Sequence, residues 1–122
     1  MHVLITGAAG MVGSRLAERL AREGRCAGNA ISTLTLTDVV AASLPAELAD
    51  RATIRVEDAT DAAVARELAA LRPDLIFHLA AIISGEAERD FDKGYRINLD
   101  GMRNLLEAIR QESAKNLSLI HI

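Results

Sequence analysis

The stretch "TGAAGMVG", residues 6–13, constrains this chain more than any other. It places glycines at 7, 10 and 13, after the apolar run "HVLI" and into "MVGSRLAERLARE", whose Val12, Leu16 and Leu20 recur at helical spacing. The order is strand, glycine turn, helix. A backbone that must approach a phosphate closely has no room for a Cβ, and a helix N-terminus offers N–H donors and the positive end of its dipole. Gly7, Gly10 and Gly13 are therefore placed for a nucleotide phosphate, with Met11 and Val12 opening the helix beside it. Turns of small residues also serve plain strand-to-helix packing, so the rest of the chain has to decide.

The rest alternates. After the polar connection "GRCAGNA", the β-branched residues of "ISTLTLTD" predict a second strand over 32–37 that ends on Asp38. A loop with a helical turn near 44–50 leads to a third strand in "ATIRVED", where Ile54 and Val56 alternate and acidic residues mark the exit. "DAAVARELAALR" begins with an acidic residue suited to a helix N-terminus and stops at Arg72 before Pro73. "DLIFHLAA" reads as a fourth strand; from Asp90 to Glu112, Ile97, Leu105, Leu106 and Ile109 follow a helical pattern that Gly94 and Gly101 weaken. Four such alternations with short connections predict an α/β fold, a Rossmann-type doubly wound parallel sheet ended after about four strands in one domain. Half of the residues are apolar, yet only two Phe, one Tyr and no Trp occur, which suits helices packed on a buried sheet.

Composition narrows the partners. A formal charge of -3, from 14 basic and 17 acidic residues well mixed, leaves no basic stripe for a nucleic acid. Cys26 is the only cysteine, which excludes an intramolecular disulfide and a metal site built on several thiolates; no metal is expected, and Cys26 itself reads as incidental. The first apolar run is too short for a secretory core, and no run reaches membrane-spanning length. A cytoplasmic protein with a small-molecule partner and no membrane is expected. Asp38, at the end of the second strand, is where a carboxylate accepts hydrogen bonds from both hydroxyls of an adenosine ribose. It would repel a 2′-phosphate, which favours NAD over NADP.

The glycine spacing is G-x-x-G-x-x-G, and with it the chain resembles the extended branch of the short-chain dehydrogenase/reductase superfamily, the NAD-dependent epimerase/dehydratase family. The resemblance covers residues 1 to about 116. It implies that Asp58 and Ala59, after the third strand, touch the adenine, and that "HLAA" at His78–Ala81 lays Leu79, Ala80 and Ala81 beside the cofactor. Asn98 in "INLDGMRNLLEA" resembles the family's helix-kinking Asn, which holds an ordered water in a proton relay. "SGEAE", 84–88, would lie on a loop beside nicotinamide and substrate, with Ser84, Gly85 and Glu86 facing a sugar acid. Plainer readings stand beside these: His78 suits a satisfied structural imidazole better than a catalyst, Glu86 and Glu88 fit a solvated rim equally well, and Asn98 could bond a neighbouring carbonyl.

The implied activity is an NAD-dependent oxidation of a small sugar acid; a nucleotide-sugar epimerase or dehydratase shares every nucleotide motif seen here, and a non-catalytic NAD-binding module would need no more. The superfamily resembled takes the hydroxyl proton with a Tyr followed four residues later by a Lys, aided by a Ser after the fifth strand. Here the only tyrosine, Tyr95, is followed at the fourth position by Leu99, and Lys occurs only at 93 and 115. We therefore expect no catalytic residue within this chain. The ending "LSLIHI", 117–122, has the apolar content of a fifth strand. It also matches the translation of CTGTCTCTTATACACATC, a transposon end used in preparing sequencing libraries. The expectation is an NAD-binding part over 1–116, an adapter-derived tail over 117–122, and a native sequence that continues past Asn116. The parent would pair as a homodimer through two helices, one of them at 90–112.

Overall fold

A computed structural model describes residues 1–82, 84–112 and 118–121. β1 (His2–Thr6) runs into the glycine turn and α1 (Met11–Glu23). Gly24 ends that helix in a left-handed conformation, φ 67°, from which its N–H reaches the Leu20 carbonyl. The segment read as a plain polar connection instead forms a two-residue hairpin, β2 (Arg25–Cys26) with β3 (Asn29–Ala30). Ala27 and Gly28 turn it with φ of 50° and 80°, the positive values that tight hairpins require. Cys26 is half-buried there against the core.

β4 (Thr33–Asp38) starts and ends one residue later than the sequence suggests. A 3-10 helix (Ala46–Arg51) and β5 (Thr53–Val56) follow. α2 (Ala62–Ala70) is capped by Asp61, whose side chain accepts from the N–H groups of Ala63 and Val64. β6 (Leu75–His78) comes next. The loop expected at 84–88 is a correction: Ser84–Arg89 is a short helix, α3, carrying Ser84, Gly85 and Glu86. It folds because Glu86 pairs with Lys93 of α4 (Phe91–Gly94), and because Gly94 lets the two helices close. A Cβ on Gly94 would come 2.9 Å from that of Ala87. The single helix pattern over 90–112 is likewise divided, into α4, a π-helical turn (Tyr95–Asp100) and α5 (Gly101–Gln111).

The main sheet has the order β5-β4-β1-β6-β7 with every pair parallel. Its fifth strand, β7 (Ser118–His121), pairs with β6. Residues 113–117 and Ile122 lie outside the described residues. The chain moves outward from β1 to β4 and β5, then returns across β1 to β6, so the order reverses between β1 and β6. That reversal opens a crevice at the C-terminal ends of the strands.

Alternate residues of each strand serve opposite faces. Val3 and Ile5 of β1, Leu34 and Leu36 of β4 and Leu75 of β6 pack with Ala17, Leu20 and Ala21 of α1 and Leu48 of the 3-10 helix. On the other face Leu4 and Ile76 meet Leu68 of α2 and Leu105 of α5. Ala65, Ala69 and Ala108 let those two helices approach closely. Each fully buried Leu or Ile contributes about 1.5–3 kcal/mol relative to exposure. Double winding follows from this two-sided burial of near-continuous apolar strands.

Candidate functional site

The crevice is built first by glycine. Gly7 leaves β1 with φ 72°, and a Cβ on it would come 2.6 Å from the carbonyl carbon of Leu79 and 2.7 Å from the Ala80 nitrogen. The backbone after β6 therefore lies directly on the turn. A Cβ on Gly13 would run into the Gly7 carbonyl oxygen, which packs the first turn of α1 against the end of β1. Gly10 sits at the N-cap and offers no side chain to the helix. The first intrahelical bond is Ser14 N–H to the Gly10 carbonyl, 2.9 Å, so the N–H groups of Met11, Val12 and Gly13 have no acceptor within the helix. An anion fits such an end.

Asp38 closes the turn from the side. Its Oδ2 accepts from Ala9 N–H at 2.9 Å and its Oδ1 from Val39 N–H at 2.7 Å, while Ala8 N–H donates to the Thr37 carbonyl at 3.2 Å. A carboxylate oxygen has two lone pairs, so each retains one for a ligand hydroxyl. Among the described residues no cation pairs with Asp38, which leaves its charge facing the crevice.

Together these groups bound a cavity of about 350 Å³. Of the residues singled out from sequence, Gly7, Gly10, Asp38, Asp58, Ala59, Leu79, Ala80 and Ala81 line it. Gly13 lies beneath, under Gly7, whereas the side chains of Met11 and Val12 are exposed beside α1 and do not line the cavity. The sequence reading missed Ala9, Val39, Val40, Glu57, Thr60, Ile82 and Ile97. Val39 and Val40 had a usable signal, two exposed apolar residues directly after the carboxylate that ends β4. A flat apolar ring would cover such residues.

Asp58 occupies the far wall. Its Oδ1 accepts from Thr60 N–H at 2.9 Å and Oγ1–H at 2.5 Å, and its Oδ2 from Arg96 at 3.1 Å. Partial burial pushes its carboxyl up, but the Thr60 bonds and the Arg96 charge outweigh this and hold it below the usual range. Asn98, in the π-helical turn, clamps the loop after β6. Its Oδ1 accepts from Ile82 N–H at 2.9 Å and its Nδ2 donates to the Ile82 carbonyl at 3.1 Å. The neighbouring-carbonyl reading of Asn98 thus describes its bonding here. His78 is buried and its Nδ1 lies 2.7 Å from Thr6 Oγ1, as a structural imidazole would. Glu86 is turned to Lys93, Gly85 is exposed, and the Ser84 side chain lies outside what is described; neither Gly85 nor Glu86 lines the cavity.

A parallel sheet with a glycine turn at its reversal point and a carboxylate at the next strand's end defines a Rossmann-type nucleotide fold. Over residues 3–122 the chain matches, and belongs to, the NAD-dependent epimerase/dehydratase family. Among curated relatives it is similar to D-erythronate dehydrogenase of Cupriavidus necator, 46% identical over an alignment of 116 residues that covers 91% of this chain and 35% of that protein. Among solved structures, the nucleoside-diphosphate-sugar epimerase from Agrobacterium tumefaciens superposes with a TM-score of 0.88 at 46% identity, covering 99% of this chain and 36% of that one. A variant of uronate dehydrogenase from the same organism, solved with NAD, gives 0.76 at 28% identity, covering 98% and 39%. The chain spans about a third of the length of the curated relatives it matches. Among the described residues no helix is long and apolar enough to cross a membrane.

Proposed function

We propose that residues 1–116 form the NAD-binding part of a cytoplasmic, homodimeric oxidoreductase that oxidises the C2 hydroxyl of D-erythronate to the 2-oxo acid. The observation that carries the nucleotide half is the Asp38 carboxylate, with no cation paired to it among the described residues, lining a cavity bounded by glycine backbone. The substrate half rests on the likeness to D-erythronate dehydrogenase.

The residues fit an NAD. The turn Gly7–Gly13, with the first N–H groups of α1 at Met11 and Val12, holds the pyrophosphate. Asp38 accepts from the ribose hydroxyls and repels a 2′-phosphate. Asp58 and Ala59 meet the adenine. Leu79, Ala80 and Ala81 keep the nicotinamide side free of bulk, and Asn98 fixes the loop there as support for proton transfer. A sugar acid would meet α3, which carries Ser84, Gly85 and Glu86, at a place where Glu86 is paired with Lys93. When bound, NAD supplies the acceptor for the hydride leaving C2, and the hydroxyl proton goes to a base. The only tyrosine, Tyr95, is not followed four residues later by a Lys, so this reading assigns that base to no residue of 1–122.

Calorimetry with NAD and NADP tests the nucleotide half. Binding weaker than a micromolar complex by about 4 kcal/mol, the upper end of a loss of about 2–4 kcal/mol, lies near ~1 mM. We expect NAD near that value, NADP weaker still, and the preference lost in Asp38→Asn. Equal affinity of the unaltered chain for both would overturn the assignment. The likeness to a nucleoside-diphosphate-sugar epimerase favours a second reading, epimerisation of a nucleotide sugar. Sequencing the source DNA past codon 116, then assaying the full-length product, separates the two. Net NAD reduction with D-erythronate supports oxidation, and interconversion of nucleotide sugars without net reduction supports epimerisation. The 122-residue chain alone should reduce no NAD.

A further inference from the structure

Arg96 is a charged side chain beside the cavity to which the nucleotide reading gives no role. It lies in the π-helical turn, half-exposed, and stands behind the cavity wall and not among its lining residues. Its Nη1 donates to Asp58 Oδ2 at 3.1 Å and to Thr60 Oγ1 at 3.1 Å. Thr60 Oγ1–H in turn donates to Asp58 Oδ1, and Asn104 of α5 holds the Thr60 carbonyl at 2.9 Å. Gly101 allows this approach, since a Cβ there would come 2.7 Å from Thr60 Cγ2. The helix segment 96–104 thus grips the loop 58–60 at four points.

Acceptor counting gives the consequence. A carboxylate offers about four lone-pair sites. Thr60 N–H and Oγ1–H fill the two on Oδ1, and Arg96 fills one on Oδ2. One remains, on a group that lines the cavity. We propose that Arg96 is a positioning residue for base recognition: it fixes the one open acceptor site of Asp58 toward the cavity and so makes the site select a purine presenting an amino group over one presenting a carbonyl. The proposal rests on the nucleotide reading above. A carboxylate not held there could turn its open acceptor site away from the cavity, and the discrimination would fade.

The test compares NAD with nicotinamide hypoxanthine dinucleotide, which carries a carbonyl where adenine has its amino group. Both are titrated calorimetrically into the full chain and into Arg96→Gln and Arg96→Lys, with the Asp58 carboxyl followed by carbon NMR in the absence of nucleotide. We expect the NAD preference to fall about fivefold in Arg96→Gln. The Asp58 carboxyl should titrate at higher pH in that variant, and Arg96→Lys should recover part of both effects. A merely structural role would weaken both dinucleotides alike and leave their ratio unchanged. An unchanged ratio, or an Asp58 titration indifferent to Arg96→Gln, overturns the proposal while NAD binding stands. If the unaltered chain binds neither dinucleotide, the nucleotide reading falls and this proposal with it.

Discussion

At the scale of single residues, the glycines of the turn differ in what they do. Gly13 has no space for a methyl group, because the obstacle is the Gly7 carbonyl, a backbone group fixed between strand and helix. Gly85 faces open solvent in a helix, where alanine is the better former by up to about 1 kcal/mol. Urea unfolding followed by circular dichroism should therefore show Gly13→Ala destabilised by about 1–3 kcal/mol and Gly85→Ala unchanged or slightly stabilised. Equal effects would mean that the turn yields more readily than its contacts imply. The sequence carries the spacing of these glycines but not their burden. Position 7 needs both the positive φ and the approach of Leu79, a residue 72 positions away, and that approach is a product of the sheet order.

Elements were most legible where a local signal and the packing agree. α2 is the clearest case, since Asp61 is a cap by composition and a cap by geometry, accepting from two backbone N–H groups. Asp61→Ala should cost about 1 kcal/mol in the same unfolding measurement. Asp61→Asn should cost less, because the amide oxygen can still accept. The elements that escaped notice are those held by contacts remote in sequence or by unusual backbone. The hairpin 25–30 depends on a positive φ at Ala27, a residue type that does not announce it. α3 depends on the ion pair between Glu86 and Lys93 and on Gly94, which had counted only as a weak point in a helix. For the same reason Asp38, Asp58 and Leu79–Ala81 at the strand ends were found and Ile97 was not. The strand-end residues follow from topology, whereas Ile97 faces the cavity only through the π-helical turn that rotates it there.

For the whole molecule, the two ends of the sheet carry different chemistry. The C-terminal ends bear Asp38 and Asp58; the N-terminal end of β1 bears His2, whose Nε2 lies 2.8 Å from Thr35 Oγ1 of β4 while its backbone N–H donates to Asp74. Burial lowers the His2 pKa from 6.5, against the raising effects of the Leu71 backbone and the Asp74 charge. A lowered folded-state value means that the unfolded chain takes up the proton first. Stability from this source is intact above about pH 6.5 and is lost as the pH falls through the lowered value. Unfolding free energies measured from pH 7.5 to 5 should thus decline in the unaltered chain and decline less in His2→Gln. Superimposable profiles would show that His2 binds its proton equally in both states.

The bonds from Ala8 and Ala9 to the end of β4 have a further consequence, and it is kinetic. Because the turn is already fastened to Thr37 and Asp38, its ordering is completed when the sheet assembles, and a ligand arriving at the crevice has no disordered loop to organise. Association should then proceed in one step whose observed rate rises linearly with ligand concentration, with no plateau from a slow rearrangement.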